Sequence, residues 1–215
     1  MGGTVARLAV AAGLDVVLSN SRGPQTLSGL VDQLGMRATA ATVEDAARAG
    51  DWVVLAVPFG AYPQIPFQPL AGKTVLETTN FFGGSERAAG TAASSELVQR
   101  HLAGAHVVKA FNTVLPRQLH NLARPAGAPD RSALPVAGDD PVAKAEAVRL
   151  LDLLGWDTVD AGTQAESWRM QPGTPAFLTP YMANSRASFA TRLATDPGKP
   201  ANTQKIHNAL DAARR

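Results

Sequence analysis

Short runs of β-branched and aliphatic residues alternate along the chain with Ala-rich stretches of helical spacing. Residues 15–19, 37–40, 52–57, 74–77, 106–110, 134–137 and 158–160 read as strands. Residues 4–12, 26–34, 42–49, 95–102, 141–154 and 202–213 read as helices. Local signals mark the ends. Thr42 with Asp45 resembles a capping box, Asp140-Pro141 supplies an N-cap and a first-turn proline, and Gly13, Gly35, Gly50 and Gly155 close helices. Strands this apolar, alternating with helices, predict an α/β fold with a doubly wound, mostly parallel sheet covered on both faces.

Two stretches break the rhythm. Residues 121–132 are rich in Pro, Ala and Arg and read as a surface loop. From Thr163 onward the pattern is irregular, with Pro172, Pro175, Pro180, Pro197 and Pro200. The division expected is a dinucleotide-binding domain over residues 1–161 and a small irregular or helical C-terminal segment over 162–215.

A parallel sheet of this kind opens with a strand, then G-x-G-x-x-G, then the first helix. Here Met1-Gly2-Gly3-Thr4 leads directly into that helix, and Gly2 fits as the last glycine of the fingerprint. The residue that reads the ribose is expected about 20 residues later, which falls on Asn20, followed by Ser21 and Arg22. The first strand and first two glycines are absent from this sequence. The expectation is therefore a start assigned at an internal Met, with an in-frame extension upstream encoding a short apolar strand and G-x-G. The alternative is a genuinely short protein in which another segment fills the slot.

Composition narrows the function. Hydrophobic residues at 45% suffice for a core, while 18% charged and a net charge of +2 leave no basic block for nucleic acid. With no Cys there is no disulfide, thiolate metal site or thiol nucleophile, and His101, His106, His120 and His207 lack ligand spacing, so no metal is expected. The longest apolar run, residues 52–59, is short of the ~20 residues that span a bilayer. No signal peptide precedes it, and a cytoplasmic protein is expected.

An NAD enzyme places Asp or Glu at the end of the second strand, where it would repel a 2′-phosphate. Asn20-Ser21-Arg22 is the opposite chemistry: an amide, a hydroxyl and a guanidinium able to grip phosphate. This favours NADP(H). Phe59, Phe81, Phe82 and Phe111 fall at or just beyond strand ends, where they either wall a planar ring or pack the core. Lys109 and Asn112 invite comparison with the Lys-x-x-Asn pair of hydroxyacid dehydrogenases. That pair sits on a helix, whereas this one follows a strand and begins a turn, which favours a structural role or a cofactor contact and leaves Lys109 and Asn112 as positioning candidates. Trp168-Arg169 and residues 171–175 read as a lid or a structural tail.

Five segments together carry a family resemblance: Gly2-Gly3-Thr4-Val5-Ala6-Arg7-Leu8, Ser19-Asn20-Ser21-Arg22-Gly23, Leu55-Ala56-Val57-Pro58-Phe59, Glu77-Thr78-Thr79-Asn80 and Val107-Val108-Lys109-Ala110-Phe111-Asn112-Thr113. The chain resembles the NADPH-dependent coenzyme F420 reductase-like family, related to the oxidoreductase domain of the STEAP metalloreductases, from residue 1 to about 161. The resemblance implies NADP across the strand ends. Ser21 and Arg22 would meet the 2′-phosphate, with Ala56, Val57 and Pro58 along the pyrophosphate and nicotinamide ribose, and Asn80 and Asn112 near the nicotinamide. Thr26 stands where some members carry a further basic residue.

The resulting expectation is hydride transfer between NADP(H) and coenzyme F420 or a flavin. Such transfer needs positioning and water exclusion more than acid–base chemistry, which agrees with the lack of a Ser-His-Asp set or paired carboxylates at the strand ends. The partner expected is a small-molecule redox acceptor, with a homodimer left open. Two alternatives stand: an imine or 2-hydroxyacid-type reductase, for which about 50 residues after the sheet leave little room for the usual helical domain, and a non-catalytic NADP-binding sensor.

Overall fold

The computed structural model describes residues 1–82, 92–184 and 188–214. Its elements run α1 (Gly2–Ala11), β1 (Val16–Leu18), α2 (Ser28–Leu34), β2 (Ala38–Ala40), α3 (Val43–Ala49), β3 (Trp52–Leu55) and β4 (Thr74–Glu77). They continue with α4 (Ser94–His101), β5 (His106–Lys109), α5 (Pro116–Asn121), β6 (Ala133–Val136), α6 (Pro141–Leu153), β7 (Asp157–Asp160), α7 (Phe189–Thr195) and α8 (Thr203–Asp211). Local chemistry accounts for several boundaries. Thr42 Oγ1 accepts from Asp45 N at 3.1 Å, and the Asp140 carboxylate accepts from Ala143 N at 2.8 Å ahead of Pro141. After α6 the chain turns through Gly155 at φ +91, where a Cβ would lie 2.9 Å from Arg124 N, so only glycine fits.

All strand ladders are parallel and form three groups, β2-β1, β3-β4-β5 and β6-β7. Lys109 and Ala137 join the second group to the third by exchanging backbone hydrogen bonds of 2.8 and 3.1 Å. No ladder links β1 to β3, and no described strand lies between them. Along β4 and β5 alternate side chains enter two apolar clusters. Leu76 and Val108 pack with α1 and α6, while Val75 and Val107 pack with α3 and α4. Both faces are covered, which is why these strands are apolar at every interior position rather than every second one. This is a doubly wound, Rossmann-type arrangement.

The irregular C-terminal stretch shares the larger core. Met170, Ala176, Tyr181, Ala201, Ile206 and Leu210 pack with Leu134 and Trp156. The Tyr181 hydroxyl donates to Ala133 O at 2.7 Å, and burial pushes its phenol pKa well above the ordinary value. Among the described residues no helix is long and apolar enough to cross a membrane.

Residues 121–132 form the expected surface loop over 123–130, with Asn121 closing α5, but Leu122, Arg131 and Ser132 are buried. The Arg131 guanidinium meets the Asp157 and Asp152 carboxylates, each at 2.8 Å, and the Asp152 carbonyl, pinning the loop to α6 and β7. Arg131→Ala is expected to cost about 1.5–3 kcal/mol in urea unfolding, the range for charge-assisted bonds. The exposed Arg37–Asp15 pair is expected to cost less than about 1 kcal/mol when Arg37→Ala breaks it. Equal losses would show that burial of Arg131 contributes nothing.

Candidate functional site

At the C-terminal ends of β4 and β5, two charged side chains lie wholly inside the protein. Lys109 Nζ is 3.0 Å from Glu77 Oε2, and both side chains are fully buried. A pair so placed survives only if its remaining donors and acceptors are matched. They are. Lys109 Nζ also donates to Thr79 O at 3.0 Å, Ser95 Oγ donates to Glu77 Oε2 at 2.9 Å, and both the amide and the hydroxyl of Thr79 donate to Glu77 Oε1. The network ties the ends of two strands to the start of α4. Lys109 therefore points inward, with its ammonium committed to Glu77 and Thr79.

Beyond this network the chain turns sharply at Phe111, whose φ of +62 is strained for an aromatic residue. The ring is fully buried in the core, so Phe111 packs the interior and presents no face to a planar ring at the strand ends. The turn brings Asn112 against Asn80. Asn80 Nδ2 donates to Asn112 O at 2.9 Å, and Asn112 Nδ2 donates to Asn80 Oδ1 at 3.1 Å and to Met170 O at 2.7 Å. This amide pair locks together the loops after β4 and β5 and the end of the segment carrying Met170. Asn112 Oδ1 is buried and has no hydrogen-bond partner among the described residues.

At the end of β1, Asn20 organises the next loop: its Oδ1 accepts from Arg22 N at 2.8 Å and its Nδ2 donates to Thr26 Oγ1 at 2.9 Å. Thr26 is thus committed to the loop itself, donating also to Gly23 O at 2.8 Å. Ser21 and Arg22 are exposed at its tip, and the Arg22 guanidinium makes no hydrogen bond or ion pair with a described residue. Gly2 opens α1 beside the end of β3, where a Cβ would stand 3.4 Å from Ala56 Cβ. Ala56, Val57 and Pro58 leave β3 and enter a 3₁₀ turn over Phe59–Gln64. Asn20, Ser21, Arg22, Gly2, Ala56, Val57, Pro58, Asn80 and Asn112 all follow strand ends or open α1 along one edge of the sheet.

An aromatic series runs beside this edge. Phe59 packs against Tyr62 (5.0 Å between centroids) and edge-on to Phe81 (5.4 Å), and Phe82, 74% exposed, meets Phe177 at 6.2 Å. Phe177 belongs to the C-terminal stretch, which also reaches the edge through Gln171 Nε2, donating to Ser94 Oγ at 3.1 Å. A cavity of about 700 Å³ lies elsewhere. Leu14, Trp52, Lys73, Thr74, Glu146 and Arg149 line it at the opposite, N-terminal ends of the strands. Among the described residues no group of three His, Asp or Glu is placed to hold a metal ion.

Residues 1–81 match the model of the family described as NADP oxidoreductase coenzyme F420-dependent. A hypothetical protein from Sinorhizobium meliloti is 32% identical, with 82% of this chain and 88% of that chain covered and a TM-score of 0.73. The chain belongs to the F420-dependent NADP oxidoreductase family. A provisionally named F420-dependent NADP reductase from Arthrobacter sp. FB24 is 25% identical over 78% of this chain and 82% of its own, with a TM-score of 0.65. The imine reductase of Aspergillus terreus, solved with NADPH4, is 20% identical at a TM-score of 0.58, and the match spans 53% of its chain; this shows a shared fold. The Escherichia coli K12 protein YjhV is 42% identical over 59 residues, which is 43% of its length.

In this NADP oxidoreductase family member, sequence reasoning located Lys109 and Asn112 but missed what holds them. Glu77 lies 32 positions from Lys109. A buried strand ending in a carboxylate, beside another ending in a lysine, was the available signal. Lys109→Met is expected to lose about 3–5 kcal/mol of stability by leaving the Glu77 carboxylate buried without its cation. Neutralising it in Lys109→Met/Glu77→Gln is expected to restore about half. Wild-type stability in the single variant would show that the pair carries no structural load.

Proposed function

We propose that this protein transfers hydride between NADP(H) and a planar deazaflavin of the coenzyme F420 type, or a flavin, with the nicotinamide held along the C-terminal edge of the sheet. The observation that carries this reading is the composition of that edge. A free guanidinium stands at the end of β1, a close glycine–alanine contact lies at the end of β3, and a locked amide pair joins β4 to β5. NADP(H) bound there supplies or accepts the hydride. The Arg22 guanidinium and the Ser21 hydroxyl suit the 2′-phosphate. Gly2 allows the backbone at the start of α1 to approach the pyrophosphate, beside Ala56, Val57 and Pro58. Asn80 and Asn112, each fixing the other, orient the nicotinamide end, and the otherwise unpaired Asn112 Oδ1 suits an amide donor.

The inward commitment of Lys109 supports direct transfer over a hydroxyacid-type mechanism, since its ammonium is spent on Glu77 and Thr79. Exposed Phe82 with Phe177 offers an apolar wall for a planar acceptor and excludes water from the exchange. The name of the Arthrobacter relative supports the acceptor class.

Deuterium transfer from labelled NADPH to a deazaflavin or flavin tests the reading. Label in the reduced acceptor is expected; NADPH binding without turnover on any such acceptor would instead make this a nucleotide-binding sensor. Arg22→Ala is expected to weaken NADPH about 10- to 150-fold, equivalent to about 1.5–3 kcal/mol, with little effect on NADH. Equal weakening of both, by titration at fixed salt, would make Arg22 structural.

A further inference from the structure

Two described residues other than glycine hold a positive φ, Phe111 at +62 and Leu178 at +60. A side chain in the left-handed region crowds its own backbone, and the conformation persists only where surrounding contacts hold it. Elsewhere the described chain reaches positive φ on glycine, including Gly173 at +93 a little before Leu178. The two strained turns are joined directly. Leu178 N donates to Thr113 O at 3.0 Å, which ties the C-terminal stretch to the loop that Phe111 starts. Asn112, beside Thr113, makes a second tie through Nδ2 to Met170 O at 2.7 Å. On its other side Leu178 O accepts from Tyr181 N at 3.0 Å, and the Leu178 side chain is buried.

This turn decides where its neighbour goes. With Leu178 sent inward, Phe177 stays partly exposed and meets Phe82 edge-on, 6.2 Å between centroids at 72°. Phe82 ends the run Asn80-Phe81-Phe82, which touches a different segment at each step. Asn80 bonds to Asn112, Phe81 meets Phe59 and Phe82 meets Phe177. Phe82 is 74% exposed, so the pair shows most of one ring to solvent close to the amides assigned above to the nicotinamide end. An aromatic pair held by strained backbone and open on one side is a platform for a third flat ring.

We propose that Phe177 contacts the ring of a planar, fused-ring acceptor and that Leu178, through its left-handed turn, is the positioning residue that holds Phe177 in place. This deepens the hydride-transfer reading and rests on it for the class of ligand. A compact acceptor without a flat ring system gains nothing from the pair, so Phe177 sets which acceptor is used. The dinucleotide is chosen elsewhere, by Ser21 and Arg22 at the end of β1.

The test measures binding apart from turnover. Equilibrium dialysis of 5-deazariboflavin against the 215-residue chain, with NADP+ present, gives the ring affinity, and dialysis of NADP+ gives the cofactor affinity. Phe177→Leu, which keeps apolar bulk and removes the ring, is expected to weaken 5-deazariboflavin about tenfold, the loss of one stacking partner, with NADP+ affinity unchanged. Leu178→Gly, which frees the turn, is expected to weaken it by a similar factor. The conservative variants Phe177→Tyr and Leu178→Met are expected to recover most of the loss. Unchanged ring affinity in Phe177→Leu or in Leu178→Gly, parallel loss of NADP+, or no binding of the ring to the wild-type chain overturns the proposal. Ring binding that depends on Phe177 but yields no reduced deazaflavin with NADPH supports the ring site and overturns the hydride-transfer reading instead.

Discussion

The candidate site depends on burying an ammonium and a carboxylate together at the ends of two neighbouring strands. Each ion alone would carry a penalty of several kcal/mol in this environment. Together, with Thr79 and Ser95 matching the remaining valences, Glu77 and Lys109 form a fixed point between β4, β5 and the start of α4. The loops that follow β4 and β5 on the sheet's C-terminal edge start from there. Lys109 also exchanges backbone bonds with Ala137, so the same residue couples the central strands to β6 and, through it, to the C-terminal stretch.

That coupling turns a local network into a shaped edge. Immediately after Lys109 the backbone turns at Phe111, whose buried ring holds the strained conformation in place. The turn delivers Asn112 to Asn80 and Met170. Side-chain amides fixed in this way lose little further entropy when they meet a ligand, which is the physical content of preorganisation. Arg22 differs. Its loop is ordered by Asn20 and Thr26 while its guanidinium stays in solvent, a suitable state for capturing an anion that arrives from water.

Much of this was legible from the sequence because it is written locally. The Thr42–Asp45 cap, the Asp140-Pro141 start and the apolar strands over residues 74–77 and 106–109 rest on neighbouring residues and periodicity. What escaped depends on distant contacts. α5 is only six residues long and mostly polar, and its start at Pro116 was a faint signal. The burial of Arg131 depends on Asp152 and Asp157, and the aperiodic C-terminal stretch delivers Met170, Tyr181 and Ile206 to a core that no spacing rule announces. Phe111 shows the limit clearly: its position beyond a strand end suits a ring-facing wall, but the positive φ turns it inward.

The proposed function puts the dinucleotide along the C-terminal edge of the strands and not in the cavity at their other end. Titrating nitrogen-15-labelled protein with NADPH and following backbone amide shifts tests it directly. The largest changes are expected on Ser21, Arg22, Ala56, Val57, Asn80 and Asn112. Changes centred on Leu14, Trp52, Glu146 and Arg149, with the C-terminal edge silent, would contradict it.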